Sequence, residues 1–157
     1  MKENIEWVFK TFHELKPTEL YEILKVRQEV FVLEQNIRYL DPDDKDKKAW
    51  HLFAWHPSSE KVYAYLRVLP PGKMKYHSIG RVLTPSYSRG QGYGREMMRQ
   101  VLTRVEHCLG PVPLSMSAQS YLEGFYQECG FETCSDTYIE EGIAHVEMSY
   151  SPNKSTL

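Results

Sequence analysis

The sequence lacks the features that are typical of membrane, secreted and nucleic-acid-binding proteins. It has no apolar run near the ~20 residues that a membrane-spanning helix requires. Its N-terminal residues lack the basic-then-apolar pattern of a secretory signal, so we expect a cytoplasmic protein with no membrane partner. Basic charge is not in surplus either. Lys and Arg number 19 against 21 Asp and Glu, which argues against a nucleic-acid partner.

Cysteine is scarce, and the spacing of the few cysteines suits neither disulfide bonds nor a zinc site. The three cysteines, Cys108, Cys129 and Cys134, are odd in number and irregular in spacing. A disulfide framework would need pairs in an oxidising compartment, and a zinc site would need close pairs of cysteine or histidine. We therefore expect free thiols and no bound metal.

An acidic segment at residues 41–48 resembles a calcium-binding loop but departs from it where calcium chemistry is strictest. Its sixth position is Asp46 where the loop needs glycine, and its twelfth is Leu52 where a bidentate glutamate is required. We interpret the segment as a solvated loop. A further hypothesis is that its carboxylates, Asp43 and Asp44 among them, attract a cationic substrate.

What the sequence does contain is an ordinary globular composition and a clear succession of elements. Hydrophobic residues make up 41% and charged residues 25%, which is typical of one domain spanning residues 1–157. Periodicity and turn residues predict helices at 18–34, 95–109 and 121–129, and strands at 50–55, 62–69, 75–83, 112–118, 132–139 and 144–150. The first three strands form an antiparallel meander. The fold class is therefore α/β (α+β mixed), with helices on a largely antiparallel sheet.

The first predicted helix carries two charges on its apolar stripe. Arg27 and Glu34 fall at helical spacing with Leu20, Val30 and Phe31. An isolated buried charge is very costly, so each must have a partner or open onto a cavity. An ion pair that braces the helix and a place in a substrate cleft both satisfy this requirement.

The segment most informative about chemistry is glycine-rich and lies between a predicted strand and a predicted helix. Gly90, Gly92 and Gly94 let the backbone turn tightly and approach a ligand without Cβ atoms in the way. The N–H groups that follow belong to a helix N-terminus, which attracts anions. Because Arg89 and Arg95 add positive charge at both ends, a phosphate or pyrophosphate is the expected ligand.

Two common phosphate-binding motifs do not fit this segment. The Walker motif requires a lysine and a hydroxyl residue directly after its last glycine, and neither follows here. The dinucleotide fingerprint requires its third glycine where Arg95 stands. Both nucleotide interpretations are therefore excluded, and a plain strand-to-helix turn remains as the simplest alternative.

The same residues resemble the acyl-CoA loop of the GNAT superfamily of N-acetyltransferases. The motif Arg89-x-x-Gly92-x-Gly94 follows residues 80–85, and residues 119–131 resemble the family's second signature. The order of predicted elements matches the family over nearly the whole chain. A closer resemblance, to the small ElaA-like branch, rests on His51 and on residues 27–35, 121–126 and 141–145. The resemblance implies the family's fold, a mostly antiparallel sheet of about six or seven strands flanked by helices.

The resemblance also implies acetyl-CoA as co-substrate and assigns residues to its parts. A strand edge would pair with the pantetheine arm, and the loop amides would hold the pyrophosphate. The neighbouring parallel strand is expected at residues 114–118, with the helix at 95–109 as the crossover between the two strands. The residues so assigned are Val82, Leu83 and Thr84 on the edge, Arg89, Gly90, Gln91, Gly92, Tyr93 and Gly94 in the loop, and Gln119 and Tyr126 in the second signature.

The reaction implied is direct attack of a neutral amine on the thioester carbonyl in a ternary complex. Tyr126 occupies the family's usual position for the group that protonates the leaving thiolate. A phenol suits this role because it keeps its proton at neutral pH. A ping-pong route through Cys129 is disfavoured, because its sequence neighbours offer no group that would activate the thiol.

The proton acceptor for the amine stays open at this point. Many relatives carry a glutamate on the strand that holds Gly80, and this chain has none there. His145, Glu34 and His51 are the candidates, and histidine is attractive because its ordinary pKa lies near neutral pH. A mechanism without a dedicated base, in which the acceptor arrives already deprotonated, also remains.

Two classes of function therefore compete. The first is an N-acetyltransferase that acts on a primary amine of a small molecule or a protein. The second is a non-catalytic acyl-CoA-binding or regulatory module of the same fold, which would have no need of a proton donor at Tyr126. Either could form a homodimer through the exposed edge of the meander. The sequence does not identify the acceptor amine.

Overall fold

The computed structural model describes residues 4–152, so both ends of the expected domain lie outside the described residues. These residues form one sheet of eight strands. The strands are β1 (Glu6–Thr11), β2 (Trp50–His56), β3 (Lys61–Leu69), β4 (His77–Leu83), β5 (Leu114–Gln119), β6 (Glu132–Thr133), β7 (Tyr138–Glu140) and β8 (Ile143–Tyr150). The helices are α1 (Pro17–Arg27), α2 (Tyr93–Leu109) and α3 (Glu123–Glu128), with a π-helical segment at Gln28–Glu34 and 3-10 helices at Phe12–Glu14, Asp44–Lys48, Ser86–Ser88 and Ser120–Leu122.

The sheet is antiparallel except at one junction. Its strands lie in the order β1-β2-β3-β4-β5-β8-β6, and β7 also pairs with β8. Only β4 and β5 run parallel among the described strands. The crossover between them contains α2, as the sequence predicted. The prediction of a mixed α/β, mostly antiparallel fold is confirmed.

The sheet has two strands more than the six predicted runs. The strand β1 escaped prediction because Trp7, Val8 and Phe9 put apolar side chains on both faces, so no alternation marks it. The predicted run 132–139 divides into β6 and β7, which both pair with β8. β1 pairs with β2 along its whole length. It therefore covers the meander edge on which we expected a homodimer contact.

Helices cover both faces of the sheet and border the parallel junction. On one face, α2 packs Met97 and Val101 against apolar residues of β2, β3 and β5. On the other face, α1 packs Ile23 and Val26 against residues of β2, β3 and β4. Burial of these two apolar layers is the main stabilising term for such a sheet.

The predicted helix at 18–34 is helical throughout but changes type part-way. It is α-helical to Arg27 and π-helical from Gln28 to Glu34. π-Helical turns are rare, and they occur frequently at functional sites. In this segment Val30 is buried in the core, and Val30, Phe31 and Glu34 all line a cleft.

The interpretation of residues 41–48 as a solvated loop holds for the exposed residues 44, 45, 47 and 48 and is wrong for Asp41 and Asp46. Asp41 and Asp46 are buried, and residues 44–48 form a 3-10 helix. The reason is that Arg27, the charge on the apolar stripe of α1, is itself fully buried and requires carboxylate partners. Both aspartates provide them, as described below.

Three structural features concern thiols, metal ligands and the lengths of helices. The three cysteines are free thiols. Within residues 4–152, no group of three or more histidine, cysteine or acidic side chains is arranged to hold a metal ion. None of the helices in this range has the length and apolar character needed to cross a bilayer.

Candidate active site

A cleft opens where the two parallel strands part. β4 and β5 pair only through three positions, from His77↔Leu114 to Ile79↔Met116. Beyond Ile79, β4 continues to pair with β3 but not with β5. The space between the separated strand ends is a cleft of about 960 Å³. An unpaired strand edge inside a cleft can accept a ligand that offers its own amide groups.

The separation coincides with a bulge in β4. Tyr65 of β3 lies opposite Leu83 and Arg67 lies opposite Gly80, so β4 has one residue more than β3 in this stretch. Arg81, within the bulge, has a φ of 54°. This left-handed conformation costs a residue with a side chain roughly 1–2 kcal/mol. The bulge bends β4 and contributes residues 80–84 to the wall of the cleft.

Most of the site residues expected from the sequence meet in this cleft. They come from the π-helical segment, β4 and the loop after it, α2, β5, α3 and β8. The predicted residues that line it are Glu34, Val82, Leu83, Thr84, Arg89, Gly94, Gln119, Tyr126 and His145. Among the lining residues to which the sequence assigned no individual role are Tyr39, Arg81, Met116 and Glu140.

The glycine-rich segment forms the expected turn into a helix. Gly90 and Gly92 have φ of 75° and 85°, and α2 begins at the next residue, Tyr93. The first N–H groups of this 17-residue helix have no partner within the helix. The side chain of Tyr93 is buried in the core, so it can contribute only its backbone amide to a ligand. The side-chain amide of Gln91 donates a hydrogen bond to the carbonyl oxygen of Tyr87, at 3.4 Å.

Tyr126 lies on α3 with its ring buried against the core and its surface toward the cleft. The residue is 4% exposed, and its ring packs edge-on against Phe125 and Phe131. Burial, followed by the nearby Cys129 thiol, raises the pKa of Tyr126 above its ordinary value of 10.0. The phenol therefore keeps its proton at neutral pH.

His145 lies on β8, opposite Gln119 of β5, with one ring nitrogen fixed by the backbone. Its Nδ1 lies 2.7 Å from the carbonyl oxygen of Ile143, which can only accept, so Nδ1 carries the proton in the neutral ring. Its Nε2 then has a free lone pair, 3.7 Å from Oε2 of Glu140. The ring also stacks on Tyr138, with centroids 6.0 Å apart. This arrangement presents a single basic nitrogen at the cleft.

Comparison with known proteins identifies this combination of splayed strands, glycine-rich turn and cleft. The family described as "Acetyltransferase (GNAT) domain" matches residues 57–152. The chain belongs to the GNAT family. A UPF0039 protein of Synechocystis is 37% identical over 148 residues, which are 94% of this chain and 96% of that protein.

Two solved structures support the same assignment. An acyl-CoA N-acyltransferase from Pseudomonas aeruginosa has a TM-score of 0.87 and 35% identity, over 94% of this chain and 99% of that one. The crystal structure of Escherichia coli ElaA has a TM-score of 0.86 and 33% identity, with the same coverage. The predicted resemblance to the ElaA-like branch is therefore confirmed. An acyl-CoA and an acceptor are the general substrates of a GNAT fold.

Glu34 reaches the GNAT cleft already engaged in an ion pair. Arg89 Nη2 donates to Glu34 Oε1 at 2.6 Å, and Arg89 Nε donates to the carbonyl oxygen of Thr84 at 2.8 Å. The pair ties the end of the π-helical segment to the loop before α2. One carboxylate oxygen of Glu34 is therefore already occupied by a guanidinium.

His51 is excluded as a base by its position. It is buried under residues 44–48, and both of its ring nitrogens are occupied. Nε2 donates to the carbonyl oxygen of Asp46 at 2.9 Å, and Nδ1 accepts from the hydroxyl of Tyr65 at 2.6 Å. It does not line the cleft. Its place in the ElaA-like pattern is explained by this structural role.

The hydrogen bonds of His51 lead into a buried network of three arginines and three aspartates. Arg27 donates to Asp41 and Asp46, each at 2.7 Å. Arg67 donates to Asp43 and Asp46, also at 2.7 Å, and Arg81 donates to Asp41 at 2.8 Å. Opposite charges are thus equal in number within the network, and several are removed from water together.

This network removes the basis of the hypothesis that the acidic segment attracts a cationic substrate. Asp43 is committed to Arg67. Asp44 lies outside the network with its side chain fully exposed, 3.5 Å from Lys47. An exposed pair of this kind interacts weakly in water. No acceptor preference follows from these residues.

The network predicts two separate losses of stability in acid. Burial lowers the pKa of His51 from 6.5, so below that pH the unfolded chain binds a proton that the folded chain resists. Burial opposes ionisation of Asp46, but Arg27 and Arg67 outweigh it and lower its pKa from 3.8 to about 2. Its stabilising contribution is complete above 3.8 and is lost as the pH falls toward 2.

Urea unfolding at a series of pH values checks this. We expect the urea concentration at the unfolding midpoint to decline between pH 7 and pH 5. In the His51→Gln variant we expect that decline to be smaller. The matched control is His13→Gln at an exposed histidine, which should leave the decline unchanged. An identical slope in His51→Gln and the native chain would rule out His51 as its cause.

Proposed function

We propose that the chain is an N-acetyltransferase that transfers an acetyl group from acetyl-CoA to a primary amine of a small molecule or a protein. One observation carries the proposal. Tyr126, whose phenol keeps its proton, and His145, whose Nδ1 is bound to the backbone so that Nε2 is left to accept a proton, line the same cleft where β4 and β5 separate. A proton donor and a proton acceptor on one cleft are what attack by an amine on a thioester requires.

The acyl donor would bind along β4 and the turn into α2. The unpaired edge at Val82, Leu83 and Thr84 offers backbone groups to the amides of the pantetheine arm. The amides of residues 90–94 and the positive end of α2 suit the pyrophosphate. Gln119 and Tyr126 border the same cleft nearer the reacting end. The family resemblance supports each of these assignments.

The chemistry would proceed by direct attack in a ternary complex. The lone pair of the amine forms the new C–N bond at the thioester carbonyl, and a tetrahedral intermediate results. His145 Nε2 takes a proton from the attacking nitrogen as the C–S bond breaks. The Tyr126 hydroxyl gives its proton to the leaving thiolate and recovers one from the solvent or from His145. The products are an N-acetyl amine and free CoA thiol.

The direct test is release of CoA thiol from acetyl-CoA in the presence of a panel of primary amines. We expect the native protein to release thiol with at least one amine. Gly92→Glu should abolish both thiol release and calorimetrically measured acetyl-CoA binding. Gly92 has a φ of 85°, and a glutamate there adds strain and a negative charge where the pyrophosphate would lie.

Gly110→Glu is the matched control for that variant. Gly110 ends the same helix with a φ of 86° and equally open surroundings, but its ψ of −173° is essentially restricted to glycine, so the substitution brings the same charge and a larger strain at the opposite end. It should leave acetyl-CoA binding and thiol release intact. Binding of acetyl-CoA by the native chain without thiol release for any amine would favour the regulatory-module alternative.

A further inference from the structure

Arg81 has an unusual backbone for a residue inside a strand. Among the described residues, four that are not glycine have a positive φ: Asn36, Glu60, Arg81 and Glu141. The other three lie in turns, where this conformation is common. Arg81 lies within β4, in the bulge at which that strand leaves β5. A strained residue at such a place needs something to hold it.

The guanidinium of Arg81 supplies that restraint. Its Nε donates to Asp41 Oδ1 at 2.8 Å, and its Nη2 donates to the carbonyl oxygen of Asp41 at 3.0 Å. The same group lies over the ring of Tyr39, 5.7 Å from its centroid. Asp41 is buried, so the acceptor of these bonds is fixed and little screened by water. We refer to the Asp41–Arg81 contact as the clamp.

The clamp connects two walls of the cleft. Asp41 Oδ2 also accepts from Arg27 Nε at 2.7 Å. Arg27 is the last residue of α1, immediately before the π-helical segment that supplies Phe31 and Glu34 to the cleft. A single buried carboxylate therefore fixes the bulge of β4 relative to the helix on the opposite wall.

We propose that Arg81 is a positioning residue, whose clamp to Asp41 holds the bulge of β4 in the geometry that receives the acyl-CoA thioester. The proposal rests on the function proposed above and deepens it. Residues 80–84 form the unpaired edge of the cleft, and their backbone groups are useful only if they point in fixed directions before the donor arrives. The clamp provides this preorganisation at the cost of a strained backbone.

Two substitutions at the same position separate the backbone from the side chain. Arg81→Ala and Arg81→Gly lose the same guanidinium and leave the same unbalanced charge on Asp41. They differ in one respect, because glycine adopts a positive φ freely and alanine does not. We expect kcat for acyl transfer to be about tenfold lower in Arg81→Ala than in Arg81→Gly, since only the alanine variant lets the bulge relax.

Amide hydrogen exchange of residues 80–84, measured without substrate, provides a second readout. Protection should be lower in Arg81→Gly than in the native chain, because the clamp is lost, and lower still in Arg81→Ala, because its backbone also leaves the positive φ. The control pair is Glu60→Ala and Glu60→Gly, at an exposed turn residue with a φ of 53°. These two variants should differ in unfolding midpoint but not in kcat.

Two results would overturn the proposal. Equal loss of kcat in Arg81→Ala and Arg81→Gly, with exchange protection of residues 80–84 at the native level in both, would mean that the guanidinium acts on the substrate directly. Full retention of kcat and of exchange protection in Arg81→Ala would mean that the bulge needs no clamp. A native chain that transfers no acyl group contradicts the proposed function instead. In that case the clamp is tested by amide hydrogen exchange of residues 80–84 and by the affinity for acetyl-CoA. Exchange protection and affinity should both be lower in Arg81→Ala than in Arg81→Gly.

Discussion

Replacing Tyr126 with phenylalanine is expected to lower kcat for acyl transfer by about two to three orders of magnitude, with little change in KM for acetyl-CoA. The substitution removes one oxygen atom and keeps the buried ring that packs against Phe125 and Phe131. The loss falls on the step in which the thiolate leaves, because the hydroxyl of Tyr126 is the group proposed to protonate it. Steady-state thiol release with saturating amine measures it.

Tyr121→Phe is the matched control for this variant. Tyr121 also lines the cleft, from the 3-10 helix at Ser120–Leu122 directly before α3, but it is 76% exposed. Its hydroxyl lies in water and is not held toward a buried reaction centre, so kcat should be nearly unchanged. A Tyr126→Phe enzyme that retained full kcat would remove the tyrosine from the mechanism and leave thiolate departure unassisted.

Replacing Arg27 with methionine is expected to cost about 3–5 kcal/mol of unfolding free energy. Arg27 is 0% exposed, and its loss leaves Asp41 and Asp46 buried with fewer positive partners. Native domains have only about 5–15 kcal/mol in total, so the variant should be close to the limit of folding. Urea unfolding at neutral pH measures the loss.

Two further variants test whether charge balance is the cause. Arg27→Met combined with Asp46→Asn should recover part of the loss, because the double variant removes one charge of each sign. Arg99→Met is the surface control. Arg99 pairs with Glu96 on the exposed side of α2, and its side chain is 67% exposed. Its removal should hardly move the unfolding midpoint, and a loss as large as that of Arg27→Met would show that burial is not decisive.

The parts of the site that could be predicted are those formed by residues close together in the sequence. The glycine-rich turn predicted a helix that starts at an anion site, and α2 begins directly after Gly92. Tyr126 and His145 were found through the family resemblance, and both line the cleft. Each depends on neighbours within a few residues or on one strand pairing, so the sequence carries the signal.

What could not be predicted depends on contacts between distant parts of the chain. Arg27 on an apolar stripe indicated that a partner must exist, but Asp41 and Asp46 lie 14 and 19 residues away. The same segment had the composition of an exposed loop, so its burial was missed. The left-handed backbone of Arg81 has no sequence signal at all, because arginine has no preference for it.

The equality of charges in the buried network also constrains how the sequence can change. Asp46 accepts from both Arg27 and Arg67, and Asp41 accepts from both Arg27 and Arg81. A single neutral substitution at any of these positions strands a charge on another element, whereas a paired exchange of an arginine and an aspartate for apolar residues does not. Among descendants of this sequence, substitutions at these positions should therefore accumulate in compensating pairs, across α1, the segment before β2, β3 and β4 together.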